Sequence, residues 1–190
     1  MTTEDGSVHP EAPRLGTPGT PGAPRSPGPA VRLERLAAAH ADALLAFERE
    51  NRAYFARSVP DRGDGYFTPD GFAGRHAALL AEQATGACHF HVVLDTGGTL
   101  LGRVNLVDAA GGSAGLGYRV AESASGRGVA RAAVEEACRL AATAYGLTAL
   151  TAVTTLDNAP SRAVLARTGF TAVGEEVVDG RPGTAYRRTL

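Results

Sequence analysis

The chain has 190 residues and a net charge of −1, so no basic excess indicates a nucleic-acid or membrane-surface partner. Hydrophobic residues make up 44% of it, enough for a buried core. Its two cysteines are too few for a disulfide framework, and no apolar run is long enough to span a membrane. The opening residues carry acids and no apolar core, so we expect no signal peptide and a cytoplasmic protein.

Residues 1–30 differ in composition from the rest of the chain. They are rich in proline and glycine, without aromatic residues and without a collagen-like period. Such a segment cannot bury enough apolar surface to offset its ordering entropy, so we expect a disordered tail. Residues 31–190 are then expected to form one domain.

That domain begins with a predicted strand at "AVRLERL", a helix over 37–57 and a second helix that starts near Pro69. "CHFHVVLD", "LLGRVNLVDA" and "SAGLGYRVA" predict a three-stranded meander. A helix to about residue 145 follows, and then the continuous apolar strand "LTALTAVTT". A short helix over 160–168 and two strands around "DGRPG" complete an α/β (α+β) domain with one mixed sheet.

The segment "SGRGVARAAV" places two glycines between a strand and a long helix. Gly126 and Gly128 allow the backbone to approach a ligand closely, and free N–H groups at a helix start favour an anion such as a pyrophosphate. Arg127 and Arg131 can add charge-assisted contacts. A plain tight turn at a helix start would have the same sequence. Arg131 stands where a dinucleotide fingerprint needs a small residue, and a phosphate-loop NTPase needs a lysine, which the chain lacks.

A second segment, "LTALTAVTTLDNAPSRAVLARTGF", places Asn158 beyond a buried strand, Ser161 at a helix start and a Gly-Phe pair at the helix end. Together with "SGRGVA", it resembles the GNAT acyl-CoA N-acyltransferases. Their signatures are Arg/Gln-x-x-Gly-x-Gly/Ala and Asn-x-x-Ser/Ala followed by a helix and Gly-Phe. Gly128 and Ala130 match the first signature, while Ser125 stands where that family has Arg or Gln.

The segments "ERENRAYFARSVP", "YFTPDGF", "GLGYRV" and "DNAPS" are similar to the Rim-type ribosomal-protein alanine N-acetyltransferases, and this likeness covers 31–190. The resemblance implies a GNAT-like, mostly antiparallel twisted sheet with helices on both faces and a splayed central parallel strand pair. It implies acetyl transfer from acetyl-CoA to a primary amine, most readily a protein N-terminal α-amine, without a metal. A homodimer is a further expectation, because isologous dimers are common.

The resemblance also implies a cofactor site. Main-chain groups of 119–121 are expected to hold the pantetheine, and the glycine loop is expected to hold the pyrophosphate. The predicted CoA-binding residues are Arg119, Val120, Ala121, Ser125, Gly126, Arg127, Gly128, Val129, Ala130, Arg131, Asn158 and Ser161.

For catalysis, the resemblance implies Ser161 as the group that meets the leaving thiol, since Leu165 stands where many GNAT enzymes have a tyrosine. It implies Glu176 as the general base, with Glu175 as the alternative register; two exposed hairpin acids would have the same sequence. Gly115 replaces an acid that relatives often carry. The predicted acceptor-binding residues are Glu50, Tyr54, Tyr66 and Tyr118.

Two histidines, His89 and His91, alternate on one strand and so share a face. No cluster of Cys, His and acids with ligand spacing accompanies them, so a metal pair is disfavoured. We expect them to face solvent or the acceptor cleft.

Two other functions fit the same motifs. The acceptor amine can belong to a small molecule, such as an antibiotic or a polyamine. The domain can also be a non-catalytic module that binds acyl-CoA, since the helix tyrosine and the strand acid at 115 are both missing.

Overall fold

The computed structural model describes residues 29–190, so the expected tail over 1–30 lies outside it except for its last two residues. Within 29–190, seven strands form one sheet: β1 (Arg32–Arg35), β2 (His89–Leu94), β3 (Leu100–Ala110), β4 (Ser113–Val120), β5 (Ala149–Thr155), β6 (Thr171–Val178) and β7 (Arg181–Thr189). The α-helices are α1 (Ala41–Glu50), α2 (Arg52–Phe55), α3 (Pro69–Ala84), α4 (Val129–Thr143) and α5 (Ala159–Arg167).

The strands lie in the order β1-β2-β3-β4-β5-β7-β6, and every neighbouring pair is antiparallel except β4 and β5, which are parallel. The fold class predicted from the sequence is thereby confirmed, including the central parallel pair.

The parallel pair is short. β4 and β5 pair from Ser113 opposite Ala149 to Gly115 opposite Thr151. Both strands then continue, β4 to Val120 and β5 to Thr155, with no further pairing between them. Each keeps its other neighbour, β3 or β7, over that length. A gap therefore opens in the middle of the sheet.

Helices cover both faces of the sheet. The face under α4, here called the α4 face, buries a stripe of small and apolar helix residues at helical spacing. These are Val129, Ala133, Val134, Ala137, Cys138 and Ala141. The opposite, α1 face packs Leu44 of α1 and Phe72 and Leu79 of α3 against Phe90 and Val92 of β2. No helix in the described part of the chain is both long and apolar enough to cross a membrane.

The first predicted helix, 37–57, is interrupted. A single 3-10 turn precedes α1, and Asn51 separates α1 from α2. The buried Asn51 amide explains the break: Nδ2 donates to Phe47 O at 2.9 Å, and Oδ1 accepts from Glu122 N at 2.9 Å. The break thus attaches the helix pair to the loop that precedes α4.

The expectation that His89 and His91 face solvent or the acceptor cleft was wrong. Both are buried on the α4 face beside Tyr145, which follows α4. His91 Nε2 lies 2.8 Å from the Tyr145 hydroxyl, and the His89 ring stacks on the Tyr145 ring at 3.7 Å. Alternation along the strand placed the two histidines together, but only the helix packing shows which face is covered.

Candidate active site

The gap between β4 and β5 is the centre of a cleft of about 680 Å³. Its walls are the diverging ends of β4 and β5, the loop and first turn of α4, the first turn of α5 and part of the α2 region. At the far end, Val178 and Asp179 of the β6–β7 turn complete the lining. The cleft thus extends from the start of α4 to the end of the β6–β7 hairpin.

The glycine loop forms one end of this cleft. Gly126 and Gly128 have φ of 71° and 82°, in the left-handed region that glycine enters without a Cβ penalty. Gly128 is the N-cap of α4 and supplies no side-chain cap, so the first N–H groups of this 15-residue helix stay free for a ligand. Tyr54 closes the loop from the side, its hydroxyl donating to Ser125 Oγ at 3.2 Å.

The two arginines of this loop differ in position. Arg131 lines the cleft, and its Nε donates to Glu135 Oε1 at 2.8 Å along the helix. Arg127 is outside the lining and its Nη1 donates to Ser123 O at 3.4 Å. Only Arg131 is therefore placed to add a charge to the loop's anion site.

The edge of β4 that borders the gap presents main-chain groups. Ala121 N donates to Leu101 O at 2.8 Å, and Arg119 is the register partner of Arg103. Hydrogen-bonded pairs alternate along an antiparallel ladder, so residues 119 and 121 of β4 direct their main-chain groups toward β3. The N–H groups of Tyr118 and Val120 therefore point into the gap. Of the predicted segment 119–121, Val120 has the required orientation, whereas Ala121 is outside the lining.

Ser161 and Tyr118 meet across the gap. Asn158 caps α5, its Oδ1 accepting from Ser161 N at 3.2 Å, which fixes the first turn of the helix. The Tyr118 hydroxyl lies 3.0 Å from Ser161 Oγ. Burial raises the pKa of Tyr118, so the phenol stays protonated at neutral pH. Both side chains line the cleft, and the buried Leu165 lines it as well.

The α1 face of the cleft contains a buried ion-pair cluster that the sequence analysis missed. Glu48 of α1, only 1% exposed, accepts from Arg103 Nη1 at 3.2 Å and from Arg119 Nη1 at 3.0 Å. The Arg119 guanidinium also lies 5.0 Å from the centre of the Phe55 ring. Burial lowers the pKa of Arg119 and the nearby positive charges of Arg62 and Arg103 lower it further, while Glu48 opposes both effects.

A signal for this cluster was present in the sequence. Arg103 and Asn105 are polar residues at alternate positions of a mainly apolar strand, which places both on one face. Glu48 follows Leu44 by one helical turn and so belongs to the buried stripe of α1. A charge in a buried stripe indicates a buried partner.

The remaining predicted residues lie in different places. Glu50 is exposed and does not line the cleft. Tyr66 does not line it either, and the guanidinium of Arg62 lies 4.6 Å from the centre of its ring. Glu176 is exposed on β6, where its Oε1 accepts from Val177 N, and it does not line the cleft. Asp179, three residues further along the chain than Glu176, does line the cleft.

The predicted CoA-site residues all line the cleft, except Ala121 and Arg127.

A splayed parallel pair beside a glycine loop at a helix N-terminus is the arrangement that the resemblance to the GNAT acyl-CoA N-acyltransferases implies. Residues 30–171 match the family model described as "Acetyltransferase (GNAT) domain". The chain therefore belongs to the GNAT acetyltransferase family, and the expected class of enzyme, an acetyl-CoA-dependent acetyltransferase, is confirmed. No curated protein is significantly similar to it in sequence.

Solved structures with this fold include RimJ of Mycobacterium smegmatis in complex with CoA-disulfide, which is 26% identical with a TM-score of 0.78, over 85% of this chain and 82% of that one. The ribosomal-protein-S5-alanine acetyltransferase of Vibrio fischeri is 24% identical with a TM-score of 0.74, over 84% and 91%. The spermidine N-acetyltransferase of Vibrio cholerae, in complex with CoA and spermine, is 18% identical with a TM-score of 0.70, over 84% and 95%.

Proposed function

We propose that this enzyme transfers the acetyl group of acetyl-CoA to the α-amine at the N-terminus of a protein or peptide. One observation carries the proposal: a single cleft passes through the sheet from the α4 anion site, past the Tyr118–Ser161 pair, to the α1 face. A cofactor and an acceptor can therefore meet in the gap from opposite faces. The likeness to RimJ and to the S5-alanine acetyltransferase supports a peptide acceptor.

In this proposal the glycine loop and Arg131 bind the pyrophosphate, and the pantetheine runs along β4. The N–H groups of Tyr118 and Val120 hydrogen-bond to it, and a main-chain N–H in the gap polarises the thioester carbonyl as its oxygen gains negative charge. Asn158 acts by fixing Ser161 through its cap.

The departing CoA thiolate takes a proton from the Ser161 hydroxyl, which takes one in turn from the protonated phenol of Tyr118 over 3.0 Å. Water entering the cleft as CoA leaves returns a proton to the Tyr118 phenolate. Tyr118 thus replaces the missing helix tyrosine from a neighbouring strand. The general base, expected at Glu176 or Glu175, is assigned instead to Asp179, because it is the carboxylate that lines the cleft within 29–190.

An α-amine needs little help to become nucleophilic, because its pKa is roughly 8 against roughly 10.4 for a lysine side chain. Positioning then supplies much of the rate, and the exposed Asp179 takes the proton through water. The cytoplasmic location and the homodimer expected from the sequence remain part of the proposal.

The test is acetylation of a panel of short peptides with free N-termini, compared with spermidine and with a peptide whose only amine is a lysine side chain. We expect turnover of free N-termini, with kcat/KM at least about tenfold above that for the lysine amine. Faster turnover of spermidine than of every peptide would instead establish a polyamine acceptor. A rise in Tm with acetyl-CoA and CoA, absent with ATP, checks that the cofactor site is intact.

A further inference from the structure

Four residues on the α1 face of the gap form one surface, here called the acceptor seat. Arg103 and Asn105 alternate on β3, and their register partners on β4 are Arg119 and Gly117. Alternate residues of a strand point to the same face, so all four belong to the face that α1 covers. All four line the cleft.

The centre of the seat is open because residue 117 has no side chain. Apart from Gly117 itself and its two chain neighbours, no atom of the described chain lies within 4 Å of the position that a Cβ on Gly117 would take. Across the ladder, the side-chain oxygen of Asn105 is buried and has no hydrogen-bond partner among residues 29–190. An amine over Gly117 has room next to the gap that holds the thioester in the proposed function, beside the side chain of Asn105, which also lines the cleft.

The seat has a surplus of positive charge. Both oxygens of Glu48 are engaged, one by Arg103 and one by Arg119, which leaves one net positive charge in a buried cluster. The side chain of Arg119 is 23% exposed and lines the cleft, so the surplus is accessible to a ligand.

Acids of the neighbouring loop do not cancel this surplus. Asp61 and Asp64 both pair with Arg52, and Glu122 pairs with Arg57. These pairs are at least one-third exposed, so water and salt screen them far more than the buried cluster.

A positive seat has two consequences for an acceptor. A nearby like charge lowers the pKa of an amine and favours its neutral, nucleophilic form. The same charge repels polyamines, which carry further positive charges, and attracts an acceptor with an anionic group beside its amine.

We propose that the acceptor is a peptide N-terminus with an aspartate or glutamate at its second or third residue, whose carboxylate pairs with Arg119. This inference rests on the proposed function. Arg119 is two residues from Gly117, about 7 Å along the strand. That spacing matches the separation between an N-terminal amine and the second or third residue of an extended peptide.

The experiment compares kcat/KM for matched peptides that carry Asp or Asn, and Glu or Gln, at the second and third positions. We expect the acidic peptide to exceed its amide partner by about tenfold, the order expected of a charge-assisted hydrogen bond. In Arg119→Gln the ratio should fall to near one, and Arg119→Lys should restore part of it. The control Arg75→Gln removes an exposed arginine of α3 that pairs with Glu82 and should leave the ratio unchanged.

Each outcome has a distinct meaning. Equal turnover of acidic and amide peptides overturns this inference and leaves the proposed function standing, whereas no turnover of any free N-terminus overturns both. An acidic preference that persists in Arg119→Gln, with Tm and the acetyl-CoA-induced Tm shift of the variant unchanged, overturns the assignment to Arg119. Faster turnover of free alanine than of any acidic peptide shows that the carboxylate belongs to a free amino acid, and overturns the peptide acceptor.

Discussion

At the scale of single residues, the hydroxyls of Tyr118 and Ser161 are the groups best placed to act on a leaving thiolate. They lie 3.0 Å apart, and the residues are 43 positions apart in sequence, on a strand and a helix that border the same gap. In the proposed mechanism, this pair does the work of the helix tyrosine that the resemblance to GNAT enzymes leads us to expect at Leu165.

We expect Ser161→Ala to lower kcat by about 10²-fold, the lower end of the range for general acid catalysis. Tyr118→Phe should lower kcat less, because it removes only the hydroxyl that supplies a proton to Ser161. If the two hydroxyls act as one unit, the double variant should be no slower than Ser161→Ala alone.

The readouts are steady-state kinetics and the dissociation constant of CoA, which should change little in either variant. Tyr145→Phe removes a hydroxyl outside the cleft, so its kcat should equal that of the unmodified enzyme. Independent, additive losses in the double variant would contradict the relay from Tyr118 to Ser161.

At the scale of secondary-structure elements, the Glu48 cluster joins α1 to two strands of the sheet. Glu48 bonds Arg103 on β3 and Arg119 on β4, across 55 and 71 positions of sequence. Since removal of one partner leaves buried charges without compensation, this contact is costly to break. It also holds the α1 region against the side of the gap where we place the acceptor.

We expect Glu48→Gln to destabilise the fold by about 3 kcal/mol, because two buried guanidinium groups lose their counter-charge. For a domain of this size, that corresponds to a drop in Tm of roughly 10 °C. Thermal unfolding followed by circular dichroism measures it. The matched control is Glu136→Gln, which breaks an exposed i,i+3 pair with Arg139 and should change stability by under about 0.5 kcal/mol. If the two changes lower Tm equally, the buried cluster contributes no more to stability than the exposed pair does.

At the scale of the whole molecule, the buried histidines couple stability to pH. Burial, with the charges of His89 and Arg35, lowers the pKa of His91 from 6.5 to about 4. Burial also lowers the pKa of His89. His91 is only 3% exposed, so the folded protein keeps this imidazole neutral at pH values where the unfolded chain would protonate it.

The direction in which stability changes with pH follows from this difference between the folded and unfolded states. Between pH 6.5 and pH 4 the unfolded state binds the proton more readily, so the free energy of unfolding decreases as the pH falls. The full contribution of His91 is present above pH 6.5 and amounts to about 3 kcal/mol, lost by about pH 4.

Chemical denaturation at a series of pH values measures this slope. His91→Gln should flatten it between pH 6.5 and pH 4. An unaltered slope in His91→Gln would assign the pH dependence to other groups.

The sequence by itself determined the local features of this protein. Strands and helices followed from hydrophobic period, and the glycine loop and the helix start at Ser161 from residue types that need no distant partner. The order of elements was therefore correct before any packing was known, while the central parallel pair was expected from the resemblance to the GNAT family. The break at Asn51 was missed, because the main-chain partner of its side chain, Glu122, lies 71 residues away.

Features that depend on which face of the sheet a side chain occupies could be determined only from the tertiary structure. Alternation along a strand divides residues between two faces but does not say which face a helix covers, so His89 and His91 were misplaced. The same uncertainty hid the pairing of Tyr118 with Ser161 and of Glu48 with Arg103 and Arg119. A hairpin turn two residues long brought Asp179, and not Glu176, to the cleft, since register within a hairpin is set by the pairing of its strands.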